Sequence, residues 1–333
     1  MPGPYIASKS KQRGSPMRTI TALFVGLGSI GTRHLKNLTN LCADRGWTLQ
    51  ADALRSDLSR PLRDGVAALL HAQYTDLADA PAHYDMVFIT NPTSLHADAL
   101  TRVRGRGGAF FIEKPIFSAD QTGLDLADCL PAGQKAYVAA PMRWCGVMLA
   151  LKDRLPGLHP YCARVICSSY LPDWRPGVDY RTVYSAHKAM GGGVTIDLIH
   201  EWDYLVELFG VPEQLYNFKG TYSDLEIDSD DLSVYIARYP TLLAEVHLDY
   251  FGRGYRRSIE LFCHDGSYLA DFGAGTLTLP DGTVQHYEED VNRRYEREME
   301  YFVDYALTGS GESCNPPALA LNVLKLTLGE NVQ

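Results

Sequence analysis

The feature that most constrains the fold is a short apolar run followed at once by a glycine cluster. Residues 20–25 read ITALFV, and Gly26, Gly28 and Gly31 then follow in the spacing G-x-G-x-x-G. In a strand–turn–helix unit the first glycine permits a tight turn, the second admits a pyrophosphate, and the third lets helix and strand pack closely. The sequence therefore predicts a dinucleotide-binding loop opening a helix near Ser29. A plain strand-to-helix turn is the alternative interpretation.

Strands and helices are predicted to alternate in the first part of the chain. The short apolar or β-branched runs, separated by amphipathic stretches, are residues 21–25, 49–54, 86–90, 109–113 and 136–140. Such alternation is typical of parallel strands joined by right-handed crossovers. We therefore expect a doubly wound Rossmann domain over residues 18–140, preceded by a disordered extension over residues 1–17.

The pattern changes after Pro141, where strand-like runs have short connections. These runs are residues 161–170, 232–239, 241–250, 256–263 and 267–271, and Pro280-Asp281-Gly282 marks a hairpin turn. Apolar residues recur at helical spacing in 194–209 and 292–308. Residues 141–333 are thus predicted to form an α+β domain with an antiparallel sheet.

Composition excludes several classes of partner. The chain has 333 residues, 46% of them apolar, which is enough for two cores. Its net charge of −9 would repel phosphate backbones and anionic lipids, so no nucleic acid or membrane partner is expected. No apolar run approaches the ~18 to 20 residues of a membrane-spanning helix. Seven cysteines without a C-x-x-C pair argue against disulfides and structural zinc, so we expect no metal and a cytoplasmic location.

The end of the second predicted strand bears on the choice between NAD and NADP, because the adenosine ribose lies there. Asp52 lies 21 residues past Gly31, as expected of a ribose-binding carboxylate, but it falls inside the strand. Arg55 and Ser56 fall where the strand should end and could clamp a 2'-phosphate. The sequence weakly favours NADP, and the alternative is that Arg55 begins a solvated loop.

Two further motifs follow predicted strands of the same sheet. TNPTSLH occupies residues 90–96 and EKP residues 113–115, so both lie at carboxyl ends, where a doubly wound sheet binds its ligands. Lys114 is accordingly a candidate for the reacting end of the cofactor, although a lysine after a strand is more often a surface residue. The predicted cofactor-binding residues are Gly26, Gly28, Ser29, Ile30, Gly31, Arg55, Ser56, Asn91, Pro92, His96, Glu113 and Lys114.

A third motif, GGGVTIDLIHEWDYL, begins at residue 191. In one helix, Asp197, His200, Glu201 and Tyr204 would share a stripe, and an acid and an imidazole there could orient a substrate hydroxyl and exchange its proton. Alternatively, His200 is a structural histidine paired with Asp197. A zinc site is disfavoured, because the second histidine four residues on is missing.

A long segment over residues 168–193 is irregular and rich in Trp, Arg and Tyr. Such side chains can stack on and hydrogen-bond a sugar or a carboxylate, or they can form an oligomer contact. The motifs of serine hydrolases, P-loop enzymes and kinases are absent from the sequence. The predicted substrate-binding residues are Arg143, Trp174, Arg175, Tyr180, Arg181 and Tyr184.

Taken together, the glycine loop, Asn91-Pro92 with His96, Glu113-Lys114-Pro115 and the Gly191 to His200 stretch resemble the Gfo/Idh/MocA family, which includes glucose-fructose oxidoreductase and inositol dehydrogenase. The resemblance covers residues 18 to 328. It implies a Rossmann domain and a C-terminal domain with an open, mainly antiparallel sheet that often builds homodimers or homotetramers. The segment YLPDWRPGVDYRTVYSA further resembles a subgroup associated with surface-polysaccharide and amino-sugar pathways.

The implied activity is NAD(P)-linked hydride transfer at a hydroxyl or keto group of a sugar, amino sugar, nucleotide sugar or cyclitol. The resemblance places Lys114, Asp197 and His200 at the reacting carbon as catalytic residues. Two departures are visible. Many members space the Asp and His by four residues rather than three, and many carry an acidic residue where this chain has Arg55-Ser56. A non-catalytic cofactor-binding sensor and a redox-assisted elimination or glycosidase-type enzyme are the alternatives.

Overall fold

The computed structural model describes residues 18–63 and 65–332, so the extension predicted over residues 1–17 lies outside the described residues. The chain divides into two compact units. Unit 1 comprises the chain up to Glu113, Ala127–Tyr137 and Tyr295–Ser313, and unit 2 comprises Lys114–Leu126, Val138–Arg294 and the chain from Cys314. The first unit thus includes Tyr295–Ser313, a segment from the C-terminal part of the chain.

Unit 1 is built on a six-stranded sheet in the order β3-β2-β1-β4-β5-β6. Pairs β1/β2, β1/β4, β2/β3 and β4/β5 are parallel. The order reverses between β1 and β4, which is the topological switch point of a doubly wound sheet. The predicted Rossmann fold is confirmed. The strands are β1 Thr19–Val25, β2 Thr48–Leu54, β3 Ala72–Tyr74, β4 Tyr84–Ile89, β5 Gly107–Ile112 and β6 Lys135–Val138.

The central strands of this sheet are buried because their apolar runs are covered on both faces. Phe24, Phe88 and Phe111 have no exposed surface, and Phe88 stacks on the other two rings. The helices up to residue 140 are α1 Ser29–Asp44, α2 His96–Arg102 and α3 Leu126–Cys129. Helix α1 begins directly after the glycine loop, so the fold puts the loop at the carboxyl end of β1.

Unit 2 is built on an eight-stranded sheet in the order β14-β13-β12-β11-β7-β10-β9-β8. Strands β7 and β10 are parallel, and the other pairings are antiparallel. The predicted sheet and the hairpin turn at residues 280–282 are confirmed. Strand β8 was not predicted from the sequence. The strands are β7 Cys162–Tyr170, β8 Gln214–Gly220, β9 Leu232–Arg238, β10 Leu243–Asp249, β11 Phe251–Cys263, β12 Gly266–Asp271, β13 Thr276–Thr278 and β14 Val284–His286.

The predicted helix over residues 194–209 is two helices in the structure. Helix α5 ends at Asp197, Leu198 departs from helical backbone angles, and a second helix starts at His200. Residues 292–308 form one helix as predicted, whereas the helices Gly146–Arg154 and Pro317–Thr327 were not predicted from the sequence. In chain order they are α4 Gly146–Arg154, α5 Val194–Asp197, α6 His200–Phe209, α7 Asn292–Thr308 and α8 Pro317–Thr327. Within residues 18–63 and 65–332, none of the helices combines the length and apolarity needed to cross a bilayer.

Candidate functional site

The glycine loop has the geometry that its spacing predicts. Gly26 has a φ of +88°, and a Cβ there would lie 2.8 Å from Cα of Asn91. A Cβ on Gly31 would lie 2.7 Å from Oγ1 of Thr90 and 2.8 Å from the carbonyl oxygen of Gly26. Thr90 in turn donates a 2.6 Å hydrogen bond to that carbonyl. The first and third glycines are therefore required by close packing inside unit 1.

Gly28 differs from its two neighbours because the space beside it is open. A Cβ built there meets no atom within 4 Å. Gly28 is also the N-cap of α1, and it offers no side chain to cap that helix. The first amides of a helix carry partial positive charge and need acceptors. The start of α1 is thus shaped to receive an anionic group such as a pyrophosphate.

Asp52 and Arg55, the two candidates for ribose recognition, have different surroundings at the end of β2. Both oxygens of the buried Asp52 carboxylate are occupied, one by the hydroxyl of Tyr84 at 2.8 Å and the other by the ring of His71 at 3.0 Å. Arg55 follows the strand, and the preceding carbonyl, of Leu54, accepts a hydrogen bond from the amide of Gly26. The Arg55 guanidinium donates to Gln73 Oε1 at 2.8 Å. Arg55, rather than Asp52, is therefore the charged residue beside the glycine loop.

Asn91 and His96 lie at the carboxyl end of β4. The ring of His96 hydrogen-bonds the Asn91 carbonyl at 3.0 Å, and the Asn91 amide nitrogen donates to Leu95 at 3.2 Å. The side-chain oxygen of Asn91 is buried and has no partner among the described residues. Because buried polar atoms are rarely left unpaired, this oxygen marks a place where a ligand group would bind. Pro92 and Ser56 are exposed.

Glu113, at the end of β5, is held by a residue that sequence reasoning missed. His34 on α1 has no exposed surface, and its Nε2 lies 2.5 Å from Oε1 of Glu113. The His34 ring also packs on Phe111, with centroids 4.6 Å apart. The only sequence signal for this contact was the position of His34, three residues after Gly31 on the inner face of the predicted helix. This pair connects the cofactor-loop helix to the residue that precedes Lys114.

In unit 2, Asp197 is the acceptor for two tyrosines. Tyr184 donates to Oδ1 at 2.7 Å and Tyr250 donates to Oδ2 at 2.6 Å. Among the described residues neither a hydrogen bond nor an ion pair joins Asp197 to His200. The alternative of a structural His200 paired with Asp197 is therefore wrong. Tyr250 had no motif to mark it, since it is one tyrosine at the end of a strand.

His200 begins α6, and its surroundings are cationic. Desolvation lowers its pKa well below the ordinary 6.5, and the charges of Lys114, Arg257 and Arg294 lower it further. The ring is thus neutral near pH 7 and offers a lone pair to accept a proton. The structure brings two of the three predicted catalytic residues, Lys114 and His200, close enough to interact electrostatically.

The other polar members of the predicted stripe are buried in a structural role. Glu201 has no exposed surface and forms a bidentate pair with Arg257, at 2.6 and 3.0 Å. Tyr204 is also fully buried, and desolvation raises its pKa well above the usual 10. The break after Asp197 rotates α6 so that these two side chains face the protein interior. The single-helix prediction implied that Glu201 and Tyr204 share a stripe with Asp197, and in the structure they do not.

Arg143 is also structural, contrary to its predicted role in substrate binding. It is 3% exposed, and all five of its N–H groups find acceptors within unit 2. Asp203 receives two hydrogen bonds, at 2.7 and 2.8 Å, and Glu207 receives one. The Cys314 carbonyl and Asn315 Oδ1 take the rest, at 3.0 and 3.1 Å. The guanidinium has no donor left for a ligand.

The other predicted substrate residues divide into two groups. Trp174 and Tyr184 are partly exposed and lie around Asp197, because Trp174 packs edge-on against Tyr250 with centroids 5.2 Å apart. Arg175 lies over the Tyr184 ring at 5.8 Å. By contrast, Arg181 is bound to Asp179 and Glu226, and the Tyr180 hydroxyl accepts from the Glu226 amide. The structure therefore groups Trp174, Arg175 and Tyr184 with Asp197. Tyr180 and Arg181 instead contact Glu226, outside this loop, and Arg181 also contacts Asp179.

The family comparison agrees with this geometry. Residues 20–138 match the sequence model of the oxidoreductase family with an NAD-binding Rossmann fold, GFO_IDH_MocA. The match contains the glycine loop, the Asn91 and His96 motif, and Glu113-Lys114-Pro115. It confirms the resemblance inferred from these motifs.

Solved structures are similar in fold over most of the chain. Levoglucosan dehydrogenase in complex with NADH and levoglucosan has a TM-score of 0.78 at 14% identity, covering 94% of this chain and 96% of that one. An oxidoreductase from Agrobacterium radiobacter with NAD+, L-tartaric acid and magnesium gives 0.75 at 17%, covering 93% and 95%. UDP-N-acetylglucosamine 3-dehydrogenase GnnA from Acidithiobacillus ferrooxidans gives 0.68 at 17%, covering 95% and 97%. No curated protein shows significant sequence similarity to the chain.

We expected no metal ion at this site from the sequence. Across the part of the chain that the structure describes, no three His, Cys, Asp or Glu side chains are grouped as metal ligands. Unit 1 thus contains an anion-receiving loop. Unit 2 contains cationic residues around a neutral histidine.

Proposed function

We propose that the protein is an NAD(P)-dependent oxidoreductase that transfers a hydride to or from a CH–OH group of a sugar-like small molecule. The observation that carries this proposal is a neutral His200, whose pKa desolvation and the charge of Lys114 lower, on a chain whose residues 20–138 match an NAD-binding oxidoreductase family. A dinucleotide-binding sensor has no need of such a proton-transfer group. The dehydrogenase relatives with sugar substrates are consistent with the substrate class.

The residues of unit 1 fit a dinucleotide. The open space beside Gly28 and the uncapped amides of α1 would hold the pyrophosphate, and the unpartnered Asn91 oxygen would accept a donor of the cofactor. Bound there, a nicotinamide cofactor supplies the hydride acceptor that no protein side chain can provide. Arg55 at the end of β2 favours NADP, since Asp52 is buried and its carboxylate already contacts Tyr84 and His71.

His200 and Lys114 divide the acid–base work in this proposal. His200 is neutral, so its free nitrogen accepts the proton of the substrate hydroxyl, and its low pKa makes the protonated ring a ready proton donor in the reverse direction. The ammonium of Lys114 stabilises negative charge on the substrate oxygen as that proton leaves. Asp197 acts through the hydroxyls of Tyr184 and Tyr250, which it orients, and is a positioning residue.

The test follows nicotinamide absorbance while the purified protein is mixed with NAD or NADP and a panel of sugars, amino sugars, nucleotide sugars and cyclitols. For an active substrate, Lys114→Met and His200→Asn are each expected to reduce kcat by about 10²- to 10⁴-fold. The matched control is Lys36→Met, which changes an exposed lysine on α1 and should leave kcat unchanged.

Two outcomes would contradict the proposed reaction class, and a third would contradict the residue roles. Product formation without net cofactor conversion would identify redox-assisted elimination or glycosidic cleavage instead. Cofactor binding without conversion of any panel member would favour a sensor. Near-normal kcat in both variants would remove the assigned roles even if the reaction class were right.

A further inference from the structure

We propose that Trp174, Arg175 and Tyr184 form a platform that binds an acidic sugar, with the sugar ring against the two aromatic side chains and its carboxylate or phosphate on the Arg175 guanidinium. This inference deepens the proposed function, because it narrows the substrate class from sugar-like molecules to their acidic derivatives. It rests on the proposed function only for the word substrate, since binding to the platform can be measured without turnover.

The backbone of Arg175 is fixed by a tight turn. The amide of Val178 donates a 3.0 Å hydrogen bond to the Arg175 carbonyl, and Gly177 has a φ of +80°. A proline in the second position and a glycine with positive φ in the third define a type II β-turn, and Pro176 and Gly177 meet both conditions. Although it is exposed, Arg175 therefore extends from a defined backbone position.

The two rings of the platform are held by their polar ends. Trp174 donates from its indole nitrogen to Ser169 Oγ at 3.0 Å and packs edge-on against Tyr250, and Tyr184 donates from its hydroxyl to Asp197 at 2.7 Å. Trp174 nevertheless stays 37% exposed and Tyr184 40%. Because the N–H and O–H donors are used within the protein, the rings offer a ligand mainly their apolar surface. Such fixed aromatic side chains supply contact area at a low cost in conformational entropy.

Arg175 supplies the charge of the platform. Its guanidinium carbon lies 5.8 Å from the centroid of the Tyr184 ring. Over residues 18–63 and 65–332, this guanidinium forms neither a hydrogen bond nor an ion pair. Arg181, in the same segment, is by contrast bound to Asp179 and Glu226. Arg175 thus keeps its donors for a ligand, and their planar arrangement matches a carboxylate or a phosphate.

The other groups of the platform add no negative charge near pH 7. Burial and the carboxylate of Asp197 raise the pKa of Tyr184, against a smaller opposing effect of Arg175, so the phenol stays neutral. The Asp197 carboxylate accepts hydrogen bonds from both Tyr184 and Tyr250, which reduces its repulsion of a bound anion. The platform is therefore two neutral rings with one cation, which suits an acidic sugar.

The experiment measures binding by titration calorimetry on the full chain. The probes are D-glucuronate for a carboxylate, D-glucose 6-phosphate for a phosphate, and D-glucose as the neutral match, each with and without NADP. The variants are Arg175→Gln, Arg175→Lys and Trp174→Leu. The matched control is Arg256→Gln, which removes an exposed guanidinium from β11, outside this segment. Unfolding midpoints verify that every variant is folded.

At least one acidic probe is expected to bind about ten-fold or more tightly than D-glucose, and Arg175→Gln should remove most of that difference. Arg175→Lys should retain part of the difference and Arg256→Gln all of it, and added NaCl should reduce it. Trp174→Leu should instead weaken acidic and neutral probes by similar factors, because contact with the ring does not depend on charge. The better acidic probe distinguishes carboxylate from phosphate.

Three results would overturn the platform. They are equal binding of acidic and neutral probes, no binding of either acidic probe, and equal effects of the Arg175 and Arg256 variants.

The two proposals fail in different ways. Binding of an acidic sugar that depends on Arg175, in a protein that converts no substrate with NAD or NADP, would reject the oxidoreductase and keep the platform. If an acidic substrate is converted, Arg175→Gln should raise its KM about ten-fold with little change in kcat, because the contact is made equally before and during the reaction. Turnover with an unchanged KM in that variant would keep the oxidoreductase and reject the platform.

Discussion

Nε2 of His34 lies 2.5 Å from Oε1 of Glu113, and both side chains are buried in unit 1. His34 stands on the helix that follows the glycine loop, and Glu113 ends the strand that leads to Lys114. One hydrogen bond therefore joins the cofactor-loop helix to the strand end from which Lys114 extends. We infer that the pair keeps these two functional segments in register.

Replacing His34 tests this connection. His34→Leu leaves a buried Glu113 oxygen without this donor, and the free energy of unfolding should fall by about 1 to 3 kcal/mol. His34→Gln can present an amide nitrogen near the position of Nε2 and should recover part of the loss. Urea denaturation followed by circular dichroism measures both. Equal denaturation midpoints for the wild type and the Leu variant would show that the pair contributes nothing.

Two glycines of the loop should respond in opposite ways to the same substitution. Gly28→Ala places a methyl group in open space, so the protein should fold with unchanged stability but bind dinucleotide weakly. Gly31→Ala forces contacts of 2.7 and 2.8 Å with Thr90 and Gly26, so it should destabilise unit 1 by about 1 to 3 kcal/mol. Thermal unfolding and fluorescence titration with NADPH separate the two effects. Tight cofactor binding by Gly28→Ala would argue against the proposed pyrophosphate position.

Arg143 should behave as a structural residue. Arg143→Met leaves the buried Asp203 carboxylate without its bidentate partner, and removal of one member of a buried pair costs about 3 to 5 kcal/mol. The expected result is a lower unfolding midpoint, with an unchanged KM in whatever fraction stays folded. A variant with normal stability and a raised KM would restore the role in substrate binding predicted from the sequence.

The pKa of His200 predicts the pH dependence of both activity and stability. Because its pKa is lowered well below 6.5, the neutral base persists in mildly acidic solution, and kcat/KM should stay level from pH 8 down to pH 6.5 before falling. In the unfolded chain the imidazole binds a proton near pH 6.5, whereas the folded protein resists this protonation. The contribution of His200 to stability is thus complete above pH 6.5 and is lost as the pH falls below it.

His200→Asn provides the comparison for this prediction. Denaturation midpoints of the wild type and the variant are measured between pH 8 and pH 5. The variant should lose less stability than the wild type on acidification, because it lacks the group that protonates on unfolding. Parallel pH profiles for the two proteins would contradict the assigned pKa shift.

Much of the fold could be read from local sequence patterns. The G-x-G-x-x-G spacing depends on steric limits within a few residues, and the structure reproduces it, with Gly26 at positive φ and Gly31 against Thr90. Strand alternation likewise reflects a local periodicity. The prediction of one continuous helix over residues 194–209 was wrong. The break at Leu198 leaves the spacing of apolar residues almost unchanged, so the sequence pattern did not reveal it, but the break reorients Glu201 and Tyr204.

The tertiary contacts between individual side chains could not be predicted from local patterns. Arg143 resembles a ligand-binding arginine in sequence, yet its five acceptors come from residues 60 to 172 positions away. Asp52 has the spacing of a ribose-binding carboxylate, yet Tyr84 and His71 occupy it. No motif marked His34, whose partner is Glu113. In each case the deciding partner is distant in the chain.

The sequence by itself determined the alternation of strands and helices in the first part of the chain and the geometry of the glycine loop, because these depend on periodicity and on the steric freedom of glycine over short spans. Only the tertiary structure decided which charged groups remain available. A buried ionic side chain must satisfy its hydrogen bonds, and whether it does so with the protein or with a ligand depends on residues that folding brings together.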